Sequence, residues 1–510
     1  MIDTITLQVI GSALRSICEE MGVALIRAAY STNIKERRDC SAALFDSQGQ
    51  LVAQAEHIPV HLGAMSDAVA AVLPESPEPG DIFILNDPFR GGTHLPDITL
   101  VAPIGAGGKV IAYAASRAHH ADVGGIEPGS MPAASVRLFE EGVVIPPTRL
   151  AAGGRIRGDF LETLLSGMRR PQERRGDLKA QMGACKIAER RLLDLVDQKG
   201  LSLVLAAMAA ATRYSERRMR SAIAALPNGV YRAQDFLERN SIDLKIAVTV
   251  TIDGEKIMVD FKGTSPQEKG NLNCPIAVTR SACYFVLRAV TDPGIPPNAG
   301  ALRPVRISAP EGSLVNARPP AAVAAGNVET SQRIADAVAL AFSKVLPLPA
   351  QSQGTMNNVT LGGGKEGGVF SYYETIGGGA GGCPKAEGAS GIHVGMTNTL
   401  NTPVEALELA FPIRVERYEL RRGSGGEGRR RGGEGVVRSL RLLEPARLSL
   451  LSDRRRRAPL GAAGGSPGLP GRNLVNGKEV PAKTSMTLSP EDVVTIETPG
   501  GGGHGVREAS

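Results

Sequence analysis

The chain has 510 residues, of which 42% are hydrophobic and 22% charged, so its composition is that of a soluble globular protein rather than a disordered or membrane protein. It carries a formal net charge of +6 and 61 glycines, but only 4% of its residues are aromatic. So few aromatic side chains disfavour a surface on which nucleic-acid bases stack, and the glycine excess predicts much backbone in turns and loops.

Targeting and redox features predict a soluble, cytoplasmic protein. The N-terminal residues lack a basic segment followed by an apolar stretch, which disfavours a secretory signal. The longest apolar run, residues 201–211, is shorter than the roughly 20 residues that span a bilayer. The six cysteines form no Cys-x-x-Cys pair, so we expect reduced thiols rather than disulfides or a thiolate zinc site.

Apolar periodicity predicts a multi-domain α/β protein with mixed α+β layers. An opening helix is expected over residues 4–29, followed by strands and a helix up to residue 150. Later patterns predict helices, then alternating strands and helices, then short strands. The predicted domains are an α/β domain (1–150), a helical arm (151–225), an α/β domain with glycine-rich loops (226–410) and a β-rich C-terminal region (411–510).

Histidines and an aspartate flank a predicted β-hairpin in the first domain. A segment with His94 and Asp97 runs into an apolar strand, and a turn near Gly107 leads to a second strand that ends at His119 and His120. This hairpin would place position 97 opposite 117 and position 94 opposite 120. Two imidazoles and one carboxylate are typical of a Mn, Fe or Zn site in a metal-assisted hydrolase or transferase. Strand-end histidines that are only hydrogen-bonded are the alternative.

The other histidines and Cys383 carry weaker signals. Pro59 breaks a helix through His57 and His61, so both are expected in the core or beside the metal site rather than as ligands. His393 follows a glycine-rich stretch that would allow a ligand close to the backbone, although a plain loop histidine fits equally well. Cys383 has no histidine nearby in sequence, which disfavours a nucleophilic role.

Phosphate-binding motifs and basic runs give little support for a nucleotide site. The chain has no G-x-x-x-x-G-K-[ST] motif, and only five residues follow the G-x-G-x-x-G match at 500–505, so we do not expect this chain alone to bind ATP. Arginines cluster at 429–431 and 454–457. We interpret these clusters as a solvated loop or a subunit contact, ahead of a site for an anionic ligand or nucleic acid.

Long motifs spread over nearly the whole chain carry a family resemblance. They lie at residues 33–39, 55–63, 91–97, 117–125, 326–332, 356–358, 372–375, 396–399, 417–420 and 498–503. With these motifs the chain resembles the hydantoinase B/5-oxoprolinase family, which includes the B subunit of ATP-dependent N-methylhydantoinase and the α subunit of acetone carboxylase. The resemblance implies that His94, Asp97 and His119 bind a divalent metal, manganese first and zinc or iron as alternatives. The implied catalytic candidates are His120, Asp122 and Asp39.

The resemblance also implies a heteromer. A hydantoinase A-type subunit would bind ATP and phosphorylate a hydantoin or 5-oxoproline-type ring, which a metal-activated water would open on this chain. The alternatives are the α subunit of an ATP-dependent acetone or ketone carboxylase, with a small third subunit, and a non-catalytic scaffold or RNA-binding subunit. Gly395 and Glu387 depart from the family pattern and weaken a ligand role for the His393 loop; Cys40 and His504 depart from it as well.

Overall fold

The computed structural model describes residues 2–56, 58–239, 242–363 and 370–507. His57 and most of the glycine-rich loop expected at 362–368 lie outside these ranges. The predicted multi-domain α/β class is confirmed, with several sheets and helices, while the domain boundaries stay a prediction. Within the described ranges, no helix combines the length and apolar character needed to cross a membrane.

The helices follow the predicted periodicities closely. In α1, Asp3 caps the first turn by accepting the Thr6 N–H at 2.9 Å, and residues such as Leu14 and Met21 form the buried stripe. The helices are α1 (Thr4–Ala28), α2 (Thr32–Lys35), α3 (Ala64–Val72), α4 (Gly158–Ser166), α5 (Pro171–Lys199), α6 (Leu201–Ala224), α7 (Ile276–Val290), α8 (Ala299–Leu302), α9 (Ser331–Phe342) and α10 (Val404–Ala410).

The first sheet is antiparallel and has helices on both faces. Helices α1 and α5 pack on one face and α3 packs on the other, so α5 belongs to the same hydrophobic core as α1 and the sheet. The strand order is β2-β1-β5-β4-β3-β6-β7. The strands are β1 (Cys40–Asp46), β2 (Leu51–Glu56), β3 (Ile82–Leu85), β4 (Asp97–Ala106), β5 (Lys109–His119), β6 (Thr148–Ala152) and β7 (Arg155–Ile156).

The predicted hairpin is formed by β4 and β5, but its register differs from the expected one by two residues. Asp97 pairs with His119, not with position 117. The turn is centred between Gly107 and Gly108, and a bulge between Ile104 and Gly105 shifts the pairing once more. The correction brings Asp97 directly opposite a histidine.

A second sheet follows the long helices, in the order β11-β10-β9-β8. Helix α9 packs against β8 and β9, and α7 packs against α9. A π-helical turn, Gly326–Thr330, leads directly into α9. The strands are β8 (Gly229–Arg239), β9 (Ile242–Asp253), β10 (Lys256–Asp260) and β11 (Val305–Ser308).

Two further sheets share one hydrophobic core. Their orders are β13-β12-β16-β19 and β14-β15-β20-β17-β18. The strands are β12 (Asn358–Gly363), β13 (Phe370–Glu374), β14 (Ile413–Arg421), β15 (Gly435–Leu442), β16 (Ala446–Leu451), β17 (Arg472–Val475), β18 (Lys478–Val480), β19 (Lys483–Leu488) and β20 (Val493–Glu497).

Next to these sheets, glycine-rich segments pack against one another. We call this the glycine bundle; it comprises residues 377–391, 424–435, 461–468 and 499–505. Gly433 N–H donates to Ala380 O at 2.8 Å, and Gly501 N–H donates to Gly433 O at 2.9 Å. A Cβ on Gly433 would lie 1.9 Å from Ala389 O, so close backbone approach demands glycine here. Almost all of these residues lie outside helices and strands, as the glycine excess predicted.

The arginine run 454–457 is anchored to the rest of the fold, although Arg456 and Arg457 are exposed. Arg454 pairs with Asp235 at 2.9 Å and is buried, and the Glu238 carboxylate accepts the backbone N–H groups of residues 455–457. Internal carboxylates therefore hold this run in place. In the run 429–431, Arg431 is exposed and pairs with Glu427 at 3.0 Å.

Candidate metal centre

Three donor atoms converge at one end of the β4–β5 hairpin. His94 Nε2 lies 3.0 Å from Asp97 Oδ1, and His119 Nδ1 lies 3.1 Å from the same oxygen. The two ring nitrogens are 3.2 Å apart. All three side chains are almost completely buried. The three residues singled out from the sequence thus form a compact triangle of potential ligands.

Local sequence explains how the triangle is built. Pro96 lies in a turn in which the Asp97 N–H donates to His94 O at 3.0 Å, so both side chains come from a turn and not from a helix face. The turn is anchored by Asn86, whose side-chain amide donates to Leu95 O at 2.8 Å. A Cβ on Gly92 would lie 2.2 Å from the Asn86 carbonyl oxygen, so the loop closes only with glycine.

The donor set and its spacing fit a divalent transition metal. Two donors that lie about 2.1 Å from one ion and at right angles are about 3.0 Å apart, whereas a tetrahedral arrangement separates them by about 3.4 Å. The observed separations of 3.0–3.2 Å match one face of an octahedron more closely. Two imidazoles and one carboxylate are also ligands that Mn, Fe and Zn accept.

The charges in the triangle suit metal binding. Burial opposes ionisation of Asp97, but the neighbouring His94 and hydrogen bonds with His119 and His61 outweigh it and hold the Asp97 pKa well below its usual value. Burial also lowers the pKa of His119, which favours the neutral imidazole. An ionised carboxylate and a neutral imidazole are the forms that ligate metals.

The second oxygen of Asp97 is held by side chains around the triangle. The Thr93 hydroxyl donates to Asp97 Oδ2 at 2.6 Å, and His61 Nε2 lies 3.4 Å from the same oxygen. His61 Nδ1 contacts Ser41 Oγ at 3.0 Å. Asp97 therefore presents Oδ1 to the two imidazoles, and His61 lies beside the predicted metal ligands, as expected from the sequence.

We expect Thr93→Val to weaken Mn²⁺ binding about 10-fold or more, because groups that orient a metal ligand contribute strongly to affinity. Valine keeps the volume of the fully buried Thr93 and removes only the hydroxyl. Thr93→Ser, which retains the donor, is the matched control. Competition with a fluorescent chelator measures the dissociation constants; equal affinity in wild type and Thr93→Val would contradict the orienting role.

The triangle opens into a small pocket between distant parts of the chain. Its free space is about 20 Å³, room for about one water molecule, so a ring-sized ligand requires lining side chains to move apart. The lining residues include Asp39, Val60, His61, Asn327, Val328, Met356, Tyr373, Thr375, Thr397 and Thr399.

Tyr373 links the triangle to the far wall of the pocket. Its ring stacks on His119, with centroids 4.6 Å apart and planes inclined by 17°. Its hydroxyl donates to Asn358 Oδ1 at 2.8 Å, and burial raises the pKa of Tyr373. The neutral tyrosine thus fixes the orientation of the His119 imidazole from a strand far away in sequence.

The three predicted catalytic residues are placed differently. Asp39 lines the pocket, and its carbonyl oxygen accepts the His119 N–H at 3.0 Å. The imidazole of His120 instead contacts Gln181 Oε1 of α5 at 2.9 Å, and burial lowers the pKa of His120 to about 4. Neighbouring strand residues point to opposite faces, so His120 lies away from the pocket that His119 lines.

Asp122 is likewise not brought to the pocket. Its carboxylate accepts the Gly124 N–H at 2.9 Å and the Gly129 N–H at 2.7 Å. Arg169 pairs with it at 3.1 Å. These bonds fold the loop after β5. A catalytic role for His120 or Asp122 stays a prediction that this geometry does not support.

The remaining candidates from the sequence lie outside the pocket lining. Burial lowers the pKa of His393 to about 4, and the buried His504 belongs to the glycine bundle, where its N–H donates to Arg430 O at 2.8 Å. Cys383 is partly exposed. Sequence reasoning missed Thr93, Tyr373 and the threonines of the pocket; the family motifs contain all of them, but nothing in their spacing indicates that they meet.

Comparison with known proteins defines the class to which this fold and site belong. The sequence model described as hydantoinase B/oxoprolinase matches residues 3–507, and the chain belongs to this family. It is 43% identical to the uncharacterised protein MJ0963 of Methanocaldococcus jannaschii, over 99% of this chain and 91% of that protein. It is 39% identical to 5-oxoprolinase 1 of Arabidopsis thaliana, over 99% of this chain and 42% of that protein. The chain thus spans about two fifths of the length of that 5-oxoprolinase.

A bacterial relative and two solved structures extend the comparison. The chain is 30% identical to a protein of Pseudomonas sp. strain NS671 named as the B subunit of a D-/L-hydantoinase, over 99% of this chain and 90% of that protein. It superimposes on the ATP-dependent caprolactamase of Pseudomonas jessenii with a TM-score of 0.91, 28% identity and coverage of 99% and 92%. Acetone carboxylase gives 0.85 at 18% identity, covering 99% and 76%, and shares the fold. The predicted family is confirmed.

Proposed function

We propose that this chain is the ring-opening B-type subunit of an ATP-dependent cyclic-amide hydrolase. The observation that carries the proposal is the buried triangle of His94 Nε2, Asp97 Oδ1 and His119 Nδ1. Relatives named as 5-oxoprolinase, as the B subunit of a hydantoinase and as ATP-dependent caprolactamase support a cyclic amide as the substrate class.

We assign different roles in hydrolysis to different residues of the pocket. His94, Asp97 and His119 would hold a divalent ion, which supplies Lewis acidity toward water and an amide-derived oxygen. Thr93 and His61 keep the Asp97 carboxylate in place, and Tyr373 keeps the His119 ring in place. Asp39 is a lining carboxylate outside the triangle, and we assign it the role of accepting the proton of the attacking water.

Activation of the amide is assigned to a partner. A lactam is a poor electrophile, and phosphorylation of its oxygen by ATP makes the ring carbon more electrophilic; one water then adds to that carbon, the C–N bond opens as nitrogen gains a proton, and a second water hydrolyses the resulting acyl phosphate and releases phosphate. The absence of a P-loop motif in the sequence supports a separate ATP-binding A-type chain. The subunit name of the hydantoinase relative and the greater length of 5-oxoprolinase 1 support the same division.

Reconstitution tests this function. We expect ADP formation and ring opening when the chain is combined with an A-type partner, ATP and Mn²⁺ and offered hydantoin, 5-oxoproline or caprolactam, and neither reaction with the chain alone. His94→Ala should reduce ring opening more than ADP formation, because it removes a metal ligand. Chromatography of the products and a coupled ADP assay measure the two steps.

The same substrate screen distinguishes the proposed function from the carboxylase and scaffold hypotheses. Acetone with bicarbonate tests the carboxylase hypothesis, for which the acetone carboxylase structure supplies a common fold alone. Bicarbonate-dependent consumption of ketone without ring opening would replace the proposed function. Robust ring opening by the isolated chain without ATP would reject the assignment of activation to a partner. Tight, salt-steep RNA binding with no bound metal would favour the hypothesis of a scaffold or RNA-binding protein.

A further inference from the structure

Beside the metal triangle lies a buried arginine that forms no ion pair with any residue in the described part of the chain. Arg37 is fully buried; its guanidinium donates to Tyr373 O at 3.1 Å and to Thr375 Oγ1 at 2.7 Å, and its Nε has no hydrogen-bond partner. Among the residues that the structure describes, no carboxylate forms an ion pair with it. The buried Arg333 and Arg438, in contrast, pair with Asp453 and Glu374 at 3.1 and 3.0 Å.

Hydroxyl groups connect this charge to the pocket. Thr375 Oγ1 lies 2.8 Å from Thr399 Oγ1, which lies 3.4 Å from Thr397 Oγ1, and all three threonines line the pocket. A guanidinium N–H only donates, so the Thr375 oxygen accepts and its own hydrogen points onward, toward Thr399 or the pocket. Hydrogen bonds in series polarise one another. The three threonine hydroxyls therefore present to the pocket hydrogen-bond donors that are polarised by the positive charge of Arg37.

We propose that Arg37 and the three threonines form a subsite for an oxyanion group of the substrate. An unpaired buried charge is costly unless a counter-charge arrives, and the Tyr373 ring, 4.9 Å from the guanidinium, offsets only part of that cost. The proposal rests on the proposed function, which offers two sources of oxyanion chemistry: a carboxylate on the ring and the phosphoryl group added by the partner. Both would lie in the pocket that the metal triangle lines.

Calorimetric titration of the Mn²⁺-loaded chain tests the subsite. The probes are inorganic phosphate, 5-oxoproline and its uncharged analogue 2-pyrrolidinone. We expect Arg37→Met to weaken binding of phosphate or 5-oxoproline about 10-fold or more, since hydrogen bonds to charged groups carry that much affinity, and to leave 2-pyrrolidinone unchanged. A loss confined to phosphate identifies the phosphoryl source; a loss confined to 5-oxoproline identifies the carboxylate.

Isosteric variants of the threonines test the subsite even if Arg37→Met fails to fold. Thr397→Val and Thr399→Val keep the volume, remove one hydroxyl each and should weaken binding of the same anion while the metal content stays unchanged. Arg430→Met removes the same charge from an exposed position and should leave anion binding intact. Anion affinity that is equal in wild type and all three pocket variants, or wild type that binds neither anion, overturns the subsite.

The outcome is independent of the overall reaction. The titration uses neither ATP nor a partner, so failure of ring opening with intact, Arg37-dependent anion binding would reject the proposed function and keep the subsite. Ring opening together with anion binding that is unchanged in the Arg37 and threonine variants would support the proposed function and reject the subsite.

Discussion

Elemental analysis of the purified chain is expected to find about one divalent transition-metal ion per chain, lost on replacement of His94, Asp97 or His119 by alanine. The physical reason is that each variant removes one of the three protein ligands that the described part of the chain offers to the ion. Nitrogen and oxygen ligands bind Zn²⁺ more tightly than Mn²⁺ by intrinsic affinity. A recombinant sample should therefore be loaded with Mn²⁺ before its activity is judged.

A partly buried histidine elsewhere supplies the control. His393→Ala removes an imidazole outside the pocket lining and should retain the metal. Metal content that is unchanged in all three ligand variants would remove the basis of the candidate metal centre.

From the close packing of the glycine bundle we expect a second large effect, a loss of stability when a side chain is added. Gly433→Ala should destabilise the fold by about 4 kcal/mol or more, because the added Cβ would lie 1.9 Å from Ala389 O and 3.0 Å from Ala380 N. Both contacts are backbone atoms and cannot rotate away. A fall in apparent Tm at a fixed scan rate, or loss of soluble protein, measures the effect.

The matched substitution lies in α5. Gly183 has nothing within 4 Å of an added Cβ, so Gly183→Ala should be neutral or stabilise the helix by up to about 1 kcal/mol. A stability change of opposite sign for Gly433→Ala and Gly183→Ala would show that the first depends on close packing and the second on helix propensity. Equal, small effects would mean that the segments of the bundle move apart easily.

The sequence predicted features that depend on neighbours along the chain. Apolar spacing sufficed for α1, and the strands of the β4–β5 hairpin were recognisable from alternating runs around a glycine turn. The register was wrong by two residues: the turn is centred between Gly107 and Gly108 rather than on Gly107, and the bulge between Ile104 and Gly105, which nothing in the local pattern indicates, adds the second residue. A bulge depends on the twist of the whole sheet, which no local pattern contains.

The candidate site likewise contains some residues that the local sequence predicted and others that only the tertiary fold brings together. The predicted hairpin brought His94, Asp97 and the pair His119 and His120 to one end, and the family resemblance selected His119 as the third ligand. Arg37, by contrast, meets Tyr373 and Thr399 across separations of 336 and 362 residues, which only the tertiary fold creates. His120 lies on the other side of the sheet from His119, since adjacent strand residues face opposite sides, so the geometry gives its predicted catalytic role no support.

The pocket joins two parts of the chain that are far apart in sequence. Of the predicted metal ligands, His94 lies in the turn before the β4–β5 hairpin, and Asp97 and His119 lie opposite each other on its two strands. The opposite wall comes from the π-helical turn and from Thr375, Thr397 and Thr399, which are not among these ligands. We therefore expect substitutions in that wall to change the shape of the pocket and to leave the three predicted ligands in place. Under the proposed function, the same scaffold would accept a different ring after a few substitutions in this wall, with the predicted metal centre retained.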